Sequence, residues 1–298
     1  MEKTHNFTAE ESGSRLDIFV SEKLPELSRT YIQKLIADGH ITVDERIVKA
    51  SHKVSVDEHI AVTVPPPEPS TLEAENIPLN IVYEDEDLLV IDKPAGLTVH
   101  PAPGSPNHTL VNALLSRFTD LPDGSDSLRP GIVHRLDKDT SGLMLVAKNR
   151  IALNKLAGQF KARSVTKAYL VLVRGHLSPE SGFIDAPIGR DPRNRKRMAV
   201  VDEGRPSRTG YRVIKYVGNC TLLEATLETG RTHQIRVHLA AIGYPVVGDA
   251  TYGVRSPFLS RQFLHARRLG FRLPSSGKYM EFESGLPPDL QQALEKIA

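Results

Sequence analysis

The densest polar stretch of the chain is Gly131-Ile-Val-His-Arg-Leu-Asp-Lys-Asp-Thr-Ser-Gly-Leu-Met-Leu-Val-Ala-Lys148. It sets charged side chains between Ile132-Val133 and an apolar run over 143–147. Arg135 and Asp137 are two apart, so on an extended backbone both project to one side. A carboxylate beside cations at the rim of a core tends to stay ionised, and an ionised carboxylate can act as a nucleophile. The plainer alternative is that Asp137 or Asp139 only accepts turn hydrogen bonds from Thr140 and Ser141.

Three further segments spend polar residues where strands begin or end. Lys93-Pro-Ala-Gly-Leu-Thr-Val-His100-Pro follows the apolar run 88–91 and by itself reads as an ordinary Pro/Gly turn. Thr166-Lys-Ala-Tyr169 puts one aromatic at the head of an apolar strand. Such a ring serves a core or rim, or offers a stacking face to an extruded base. In Glu228-Thr-Gly-Arg-Thr-His-Gln-Ile-Arg-Val-His238 a glycine-bounded turn presents Arg231 before the amphipathic run Ile235, Leu239. His233 and His238 are five apart, which points them to different sides of a helix or strand and argues against a shared metal. Cys220 is the only cysteine, excluding internal disulfides and zinc sites built on cysteine pairs. No His-Glu-x-x-His, phosphate-loop or Gly-x-Gly-x-x-Gly fingerprint occurs.

The elements that must position these residues fall into two parts. Val64-Pro-Pro-Pro-Glu-Pro-Ser-Thr lacks periodicity and reads as a semi-rigid linker, giving domains at 13–64 and 79–298 joined by 65–78. Upstream, Leu16, Phe19, Val20 and Leu24 have helical spacing, and Pro25 interrupts. Ser28 is placed to cap a second helix carrying Ile32, Leu35 and Ile36, which Gly39 stops. Ile41 and Val43 alternate like a strand, Asp44-Glu45 makes a turn, and Val54, Val56, Ile60 and Val62 continue as short strands. Downstream, strands are expected over 81–90, 143–148, 168–174, 208–214 and 221–228, and helices over 151–160 and 288–297. Strands outnumber helices without alternating with them, which predicts an α+β domain with a mixed, mostly antiparallel sheet.

Of the 298 residues, 40% are hydrophobic and 25% charged, the composition of a globular protein rather than a fibrous or disordered one. No apolar run approaches the ~20 residues that span a bilayer, and residues 1–12 are polar and acidic, so the expected location is the cytosol. The net charge of +2 hides an asymmetry: residues 1–64 hold 8 bases and 11 acids, whereas 81–298 hold 30 and 22, a net +8. Arg190, Arg193, Arg195, Lys196 and Arg197 crowd one loop against a single acid, Asp191, and Lys161, Arg163 and Lys167 form a second cluster. Such clusters suit a phosphate backbone, so a polyanion is the expected partner.

The segment from His134 to Leu143, with the other three in this order, resembles the RluA family of RNA pseudouridine synthases. Ser28-Arg-Thr-Tyr-Ile-Gln-Lys-Leu-Ile-Ala-Asp-Gly-His-Ile similarly resembles the S4 RNA-binding domain. Together the likeness spans about residues 13–290. The phrases Ile81-Val-Tyr-Glu-Asp-Glu-Asp and His134 to Thr140 most resemble the members that modify large-subunit ribosomal RNA. The resemblance implies a pseudouridine synthase fold behind a small α/β S4 domain, and an enzyme that acts as a monomer on ribosomal RNA or a large-subunit precursor. It implies no metal or cofactor. It makes Asp137 the nucleophile on the target uridine. Arg135 then fills the gap left by the flipped nucleotide, and Tyr169 stacks on the base and assists proton removal. Arg231 pairs with Asp137, and Leu264 is an apolar wall beneath the ring. RNA contacts are expected from Arg193, Arg195, Lys196 and Arg197, and from Arg15, Arg29 and Lys34 gathered on one face of an otherwise acidic first domain. Asp44-Glu45 stands where S4 domains often have Asn-Gly, and since Glu tolerates positive φ less well a different turn is expected. Alternatives from the same residues are an S4-type assembly factor without catalysis, a synthase acting on transfer RNA, and a carboxylate-based glycosidase or nucleosidase using Asp137 with Asp139 as an acid/base pair.

Overall fold

A computed structural model describes residues 3–27, 29–65, 72–102, 105–122, 129–253 and 255–297. The chain forms two compact units, whose main bodies run up to Leu72 and from Glu73 onward. Ser28, expected as a helix cap, and most of the expected linker lie outside the described residues. No helix among the described residues is long and apolar enough to cross a membrane.

In the first unit, helices α1 (Leu16–Lys23) and α2 (Arg29–Ala37) follow strand β1 (Lys3–Thr8) and precede β2 (Ile41–Val43) and β3 (His59–Val64). The spaced apolar residues Leu16, Val20, Ile32, Leu35 and Ile36 are buried against Ile41, Val43, Ile60 and Val62. The sheet order is β1-β3-β2, antiparallel throughout. β1 was hidden by its polar sequence, and Val54 and Val56 are not in a strand. The turn after β2 also corrects the expectation. Asp44 and Glu45 take φ of 46° and 62°, the left-handed pair that Asn-Gly would adopt. Val43 and Arg46 exchange backbone hydrogen bonds at 2.9 Å. The Asp44 carboxylate steadies the turn by accepting from the His59 N–H at 3.0 Å.

The second unit carries β4 (Ile81–Glu84), β5 (Leu88–Lys93), α3 (Leu110–Arg117), β6 (Ser141–Ala147), α4 (Arg150–Lys161) and β7 (Thr166–Arg174). It continues with β8 (Ser181–Asp185), β9 (Ile188–Arg190), β10 (Met198–Val200), β11 (Arg208–Val217) and β12 (Cys220–Leu227). The chain ends with α5 (Gln234–Ala241), β13 (Leu264–Arg272), β14 (Tyr279–Glu283) and α6 (Pro288–Ile297). The main sheet has the order β4-β5-β6-β13-β7-β12-β11-β8, with β14 on β13. Every pairing is antiparallel except β6 with β13, so the fold is α+β with a mixed, mostly antiparallel sheet. The expected strand over 81–90 is instead a hairpin, because Asp85 Oδ1 accepts from the N–H groups of Asp87 and Leu88 and turns the chain. Two helices begin where a side chain takes up an otherwise unpaired N–H. Thr109 and Asn112 form a reciprocal capping box on α3, and Asn149 accepts from Ala152 N–H at the head of α4. At the parallel seam Gly142 has φ 115°, and a Cβ there would run into the Ala266 backbone. Ser141 in turn hydrogen-bonds His265 at 3.0 Å.

Candidate active site

The segment before β6 doubles back along that strand. Ala147 N–H donates to Gly131 carbonyl at 2.8 Å, and Leu145 N–H to His134 Nε2 at 2.9 Å. An acceptor Nε2 puts the His134 proton on Nδ1. Burial, with Lys167 adding to it, pushes the imidazole down to about 3, so it is neutral, and it stacks on Phe160 at 4.6 Å. Beyond it Leu136 is buried in the core, and Arg135, Leu136 and Asp137 all line a cavity of about 500 Å³. Tyr169, Arg231, Leu264, Phe160 and Lys167 line it too. Asp139 does not, so it forms no acid/base pair with Asp137 across this cavity. The plainer turn reading is also set aside. Thr140 N–H donates to the Asp137 backbone carbonyl, Thr140 Oγ1 accepts from Gln262, and Ser141 turns to His265, leaving the Asp137 carboxylate for other work.

The partner of that carboxylate is Arg236, not Arg231. Arg236 Nη1 donates to Asp137 Oδ2 at 3.0 Å, while Nε and Nη2 make a two-pronged pair with Asp249 at 2.7 and 2.9 Å. Asp249 is wholly buried, Asp137 is 18% exposed, and the guanidinium between them is 7% exposed. Burial works against the charge on both Arg236 and Asp249, and their mutual hydrogen bonds outweigh it. The arginine pKa is raised and the Asp249 pKa lowered. Arg231 sits in the turn before α5, its guanidinium 3.4 Å from the Pro206 carbonyl. Gln234 shapes that turn by accepting from Thr229 Oγ1 and Arg231 N–H and donating to Arg208 carbonyl and Thr209. Because α5 is buried from Gln234 to Leu239, the arginine inside it must meet carboxylates. The available signal was one cation set between Ile235 and Val237 in a largely buried helix.

His233 begins α5 in a left-handed conformation, φ 57°. Its Nδ1 hydrogen-bonds Tyr252 Oη at 2.8 Å, and its Nε2 stands 3.9 Å from Asp137 Oδ2. Burial lowers the His233 pKa, against the pull of Asp137. Tyr252 also accepts from Met198 N–H at 2.9 Å, and Arg197 and Arg236 lie over its ring at 5.0 and 5.1 Å. The basic hairpin β9–β10 is thereby tied to the cavity. Arg193, Arg195 and Lys196 are exposed at its tip. His238 is engaged by Thr209 and the Ala186 carbonyl, and no group of three or more His, Cys, Asp or Glu among the described residues could hold a metal.

Tyr169 is buried, and burial, reinforced by the Asp137 charge, raises its pKa well above the ordinary value. The phenol is therefore protonated near neutrality, so what it can offer the cavity is a ring face and a donor hydroxyl rather than a resting base. Leu264 opens β13, buried beside Val171 in register. Lys93 was missed. Fully buried, it donates to the carbonyls of Pro94, Leu97 and Lys138 at 2.8, 2.9 and 3.0 Å, and Gly96 N–H also reaches Lys138 carbonyl. The first segment is thus a Pro/Gly turn, with Gly96 at φ 86°, that clasps the residue after Asp137. Burial pushes the Lys93 amine down to about 7, although Asp139 and Asp137 favour its charge.

In the first unit Arg15 and Arg29 converge on the buried Asp17, at 3.0 and 2.9 Å, with Gln33 donating to the same carboxylate at 2.6 Å. Lys34 does not join them: five residues past Arg29, it lies ~140° around the helix. The expected single basic face therefore contains two of its three members.

Residues 87–241 match the RNA pseudouridylate synthase family, and residues 14–60 match the S4 domain. The chain is 54% identical over 289 residues to an uncharacterized RNA pseudouridine synthase of Chloroflexus aurantiacus, covering 96% of this chain and 91% of that one. It is 46% identical over 296 residues to ribosomal large subunit pseudouridine synthase D of Nitrosomonas europaea, covering 96% and 85%. Among solved structures, it is similar to human RNA pseudouridylate synthase domain containing 1, with a TM-score of 0.59 and 33% identity, covering 76% of this chain and 90% of that one.

Proposed function

The chain belongs to the RNA pseudouridylate synthase family, and on that footing we propose that it converts specific uridines of large-subunit ribosomal RNA to pseudouridine with Asp137 as nucleophile. The observation that carries this reading is the Asp137 carboxylate, held by Arg236 at 3.0 Å and open to a cavity of nucleotide size. A base paired inside a helix cannot enter such a cavity, so the uridine is turned out of its stack. Arg135 fills the gap it leaves. Tyr169 supplies the stacking face, Leu264 the apolar floor and Arg231 a cation at the turn. The reaction is an isomerisation: the bond from N1 to C1′ breaks, the uracil turns, C5 bonds to C1′, and the C5 proton is lost while N1 gains one. Asp137 forms the transient bond to the nucleotide, and Arg236 keeps its carboxylate oriented.

The units divide the work, with residues 13–64 as the S4-like RNA-binding domain, 65–78 as the linker and 79–298 as the catalytic domain. Arg15, Arg29 and Lys34 in the first, and Arg193, Arg195, Lys196 and Arg197 in the second, contact phosphates. A single chain in the cytosol suffices, acting on ribosomal RNA or its precursor subunit. The test is to incubate wild type and Asp137→Ala with large-subunit RNA from cells lacking the gene and to map pseudouridine by carbodiimide-dependent reverse-transcription stops. Stops restored by wild type alone are expected. Stops only in transfer RNA would move the substrate, and none in any RNA would return the chain to the assembly-factor alternative.

A further inference from the structure

We propose that the end of α4 and the start of β7 form a phosphate-binding wall of the cavity, where Lys161, Arg163 and Lys167 hold the RNA phosphodiester beside the extruded uridine. This rests on the reading of the cavity as a uridine site. All three side chains line the cavity. Among the described residues none of them lies within 4.0 Å of a carboxylate, in contrast to Arg236, Arg208, Arg261 and Arg268 of the same unit. Among the described residues the Lys167 ammonium makes no hydrogen bond or ion pair, and it lies 5.7 Å from the centre of the Phe160 ring. Three like charges within seven residues repel one another, and among the described residues no carboxylate lies close enough to pair with any of them. Uracil is neutral, so the base has no use for them. The phosphate is the anionic part of a nucleotide, and lysine and arginine are the side chains that bind it.

A second observation is independent of charge. Helix α4 ends with Ser164 N–H donating to the Gln159 carbonyl and Arg163 N–H to that of Phe160, and Arg163 has φ 57°. This position after a helix favours glycine, which alone enters the left-handed region without strain. The structure keeps a long cation there whose side chain, among the described residues, makes no hydrogen bond or ion pair, so no such bond offsets the strain. Burial, with the charge of Arg163 adding to it, lowers the Lys167 pKa, and an anion placed beside the amine would raise it again.

The test compares wild type, Arg163→Gly and Lys167→Gln as full-length proteins. RNA affinity is measured as a function of salt, alongside melting temperature and steady-state pseudouridine formation. Each lost phosphate contact should reduce the slope of log K against log salt by about 0.7 on a single-stranded target. Arg163→Gly should also raise KM about tenfold, with kcat preserved and the melting temperature unchanged or raised. An unchanged salt slope in both variants would overturn the proposal, as would a lower melting temperature for Arg163→Gly with no effect on RNA. Inorganic phosphate that protects wild type against heat while the RNA slope stays the same in all three proteins would show a site for free phosphate, which also overturns it. If wild type forms no pseudouridine in any RNA, the underlying reading fails, whatever the slopes show.

Discussion

Arg231 and Arg236 stand five positions apart in one segment, and what depends on each differs. Arg236 joins a wholly buried carboxylate to the one in the cavity, so Arg236→Ala strands Asp249 in the core. Losing one partner of a buried pair costs about 3–5 kcal/mol, and urea unfolding should show it. Arg231→Ala removes only a long contact to a carbonyl and should stay within about 0.5 kcal/mol. Similar losses of stability in the two variants would contradict this assignment of the ion pair. The distinction was invisible in the sequence because the bond from Arg236 to Asp137 spans 99 residues, whereas the spacing of Arg135 and Asp137 is local and could be read directly. Lys93 was legible as part of a turn but not as a clasp, since its three acceptors are backbone carbonyls, which every sequence has.

At the scale of elements, the turn of Asp44 and Glu45 holds two non-glycine residues at positive φ. The side chain of Asp44 works there, through His59 N–H, whereas Glu45 shows no comparable bond. Glu45→Gly should therefore raise stability by about 1 kcal/mol, seen as a higher urea midpoint. A lower midpoint would mean that the glutamate side chain holds the turn after all. Elements with a clean period were readable: α1, α2, α4 and α6, and strands β6, β7, β11 and β12, fall where apolar spacing put them. The missed ones lack that signal. α5 is buried on most sides, so its sequence carries little contrast, and β13 begins Leu-His-Ala-Arg-Arg, whose histidine is buried by its bonds to Ser141 and the Ser284 carbonyl. β1, β8, β9 and β10 are short or polar edge pieces.

For the molecule as a whole, both units rest on carboxylates whose partners hold them below the ordinary range. Burial pulls Asp17, Asp249 and Asp289 upward, but hydrogen bonds from Arg15, Gln33 and Arg29, from Arg236 and from Arg261 outweigh it. A depressed folded pKa gives stability that is fully present above the unfolded value, near 3.8, and lost as pH falls through the folded value. Resistance to urea should thus fall steeply below about pH 4. Asp17→Asn and Asp249→Asn should each flatten that limb while lowering stability at neutral pH, and an acid limb identical to wild type would refute the linkage. The parallel seam between β6 and β13 has a further consequence, for synthesis. Ser141 and His265 are 124 residues apart, so the loop bearing Asp137 has no neighbour on that side until the last quarter of the chain has left the ribosome. The three-stranded unit at the amino terminus needs nothing beyond residue 72 for its own core. The amino-terminal unit can thus fold early in synthesis, whereas the neighbours of the loop bearing Asp137 come together only once β13 has emerged.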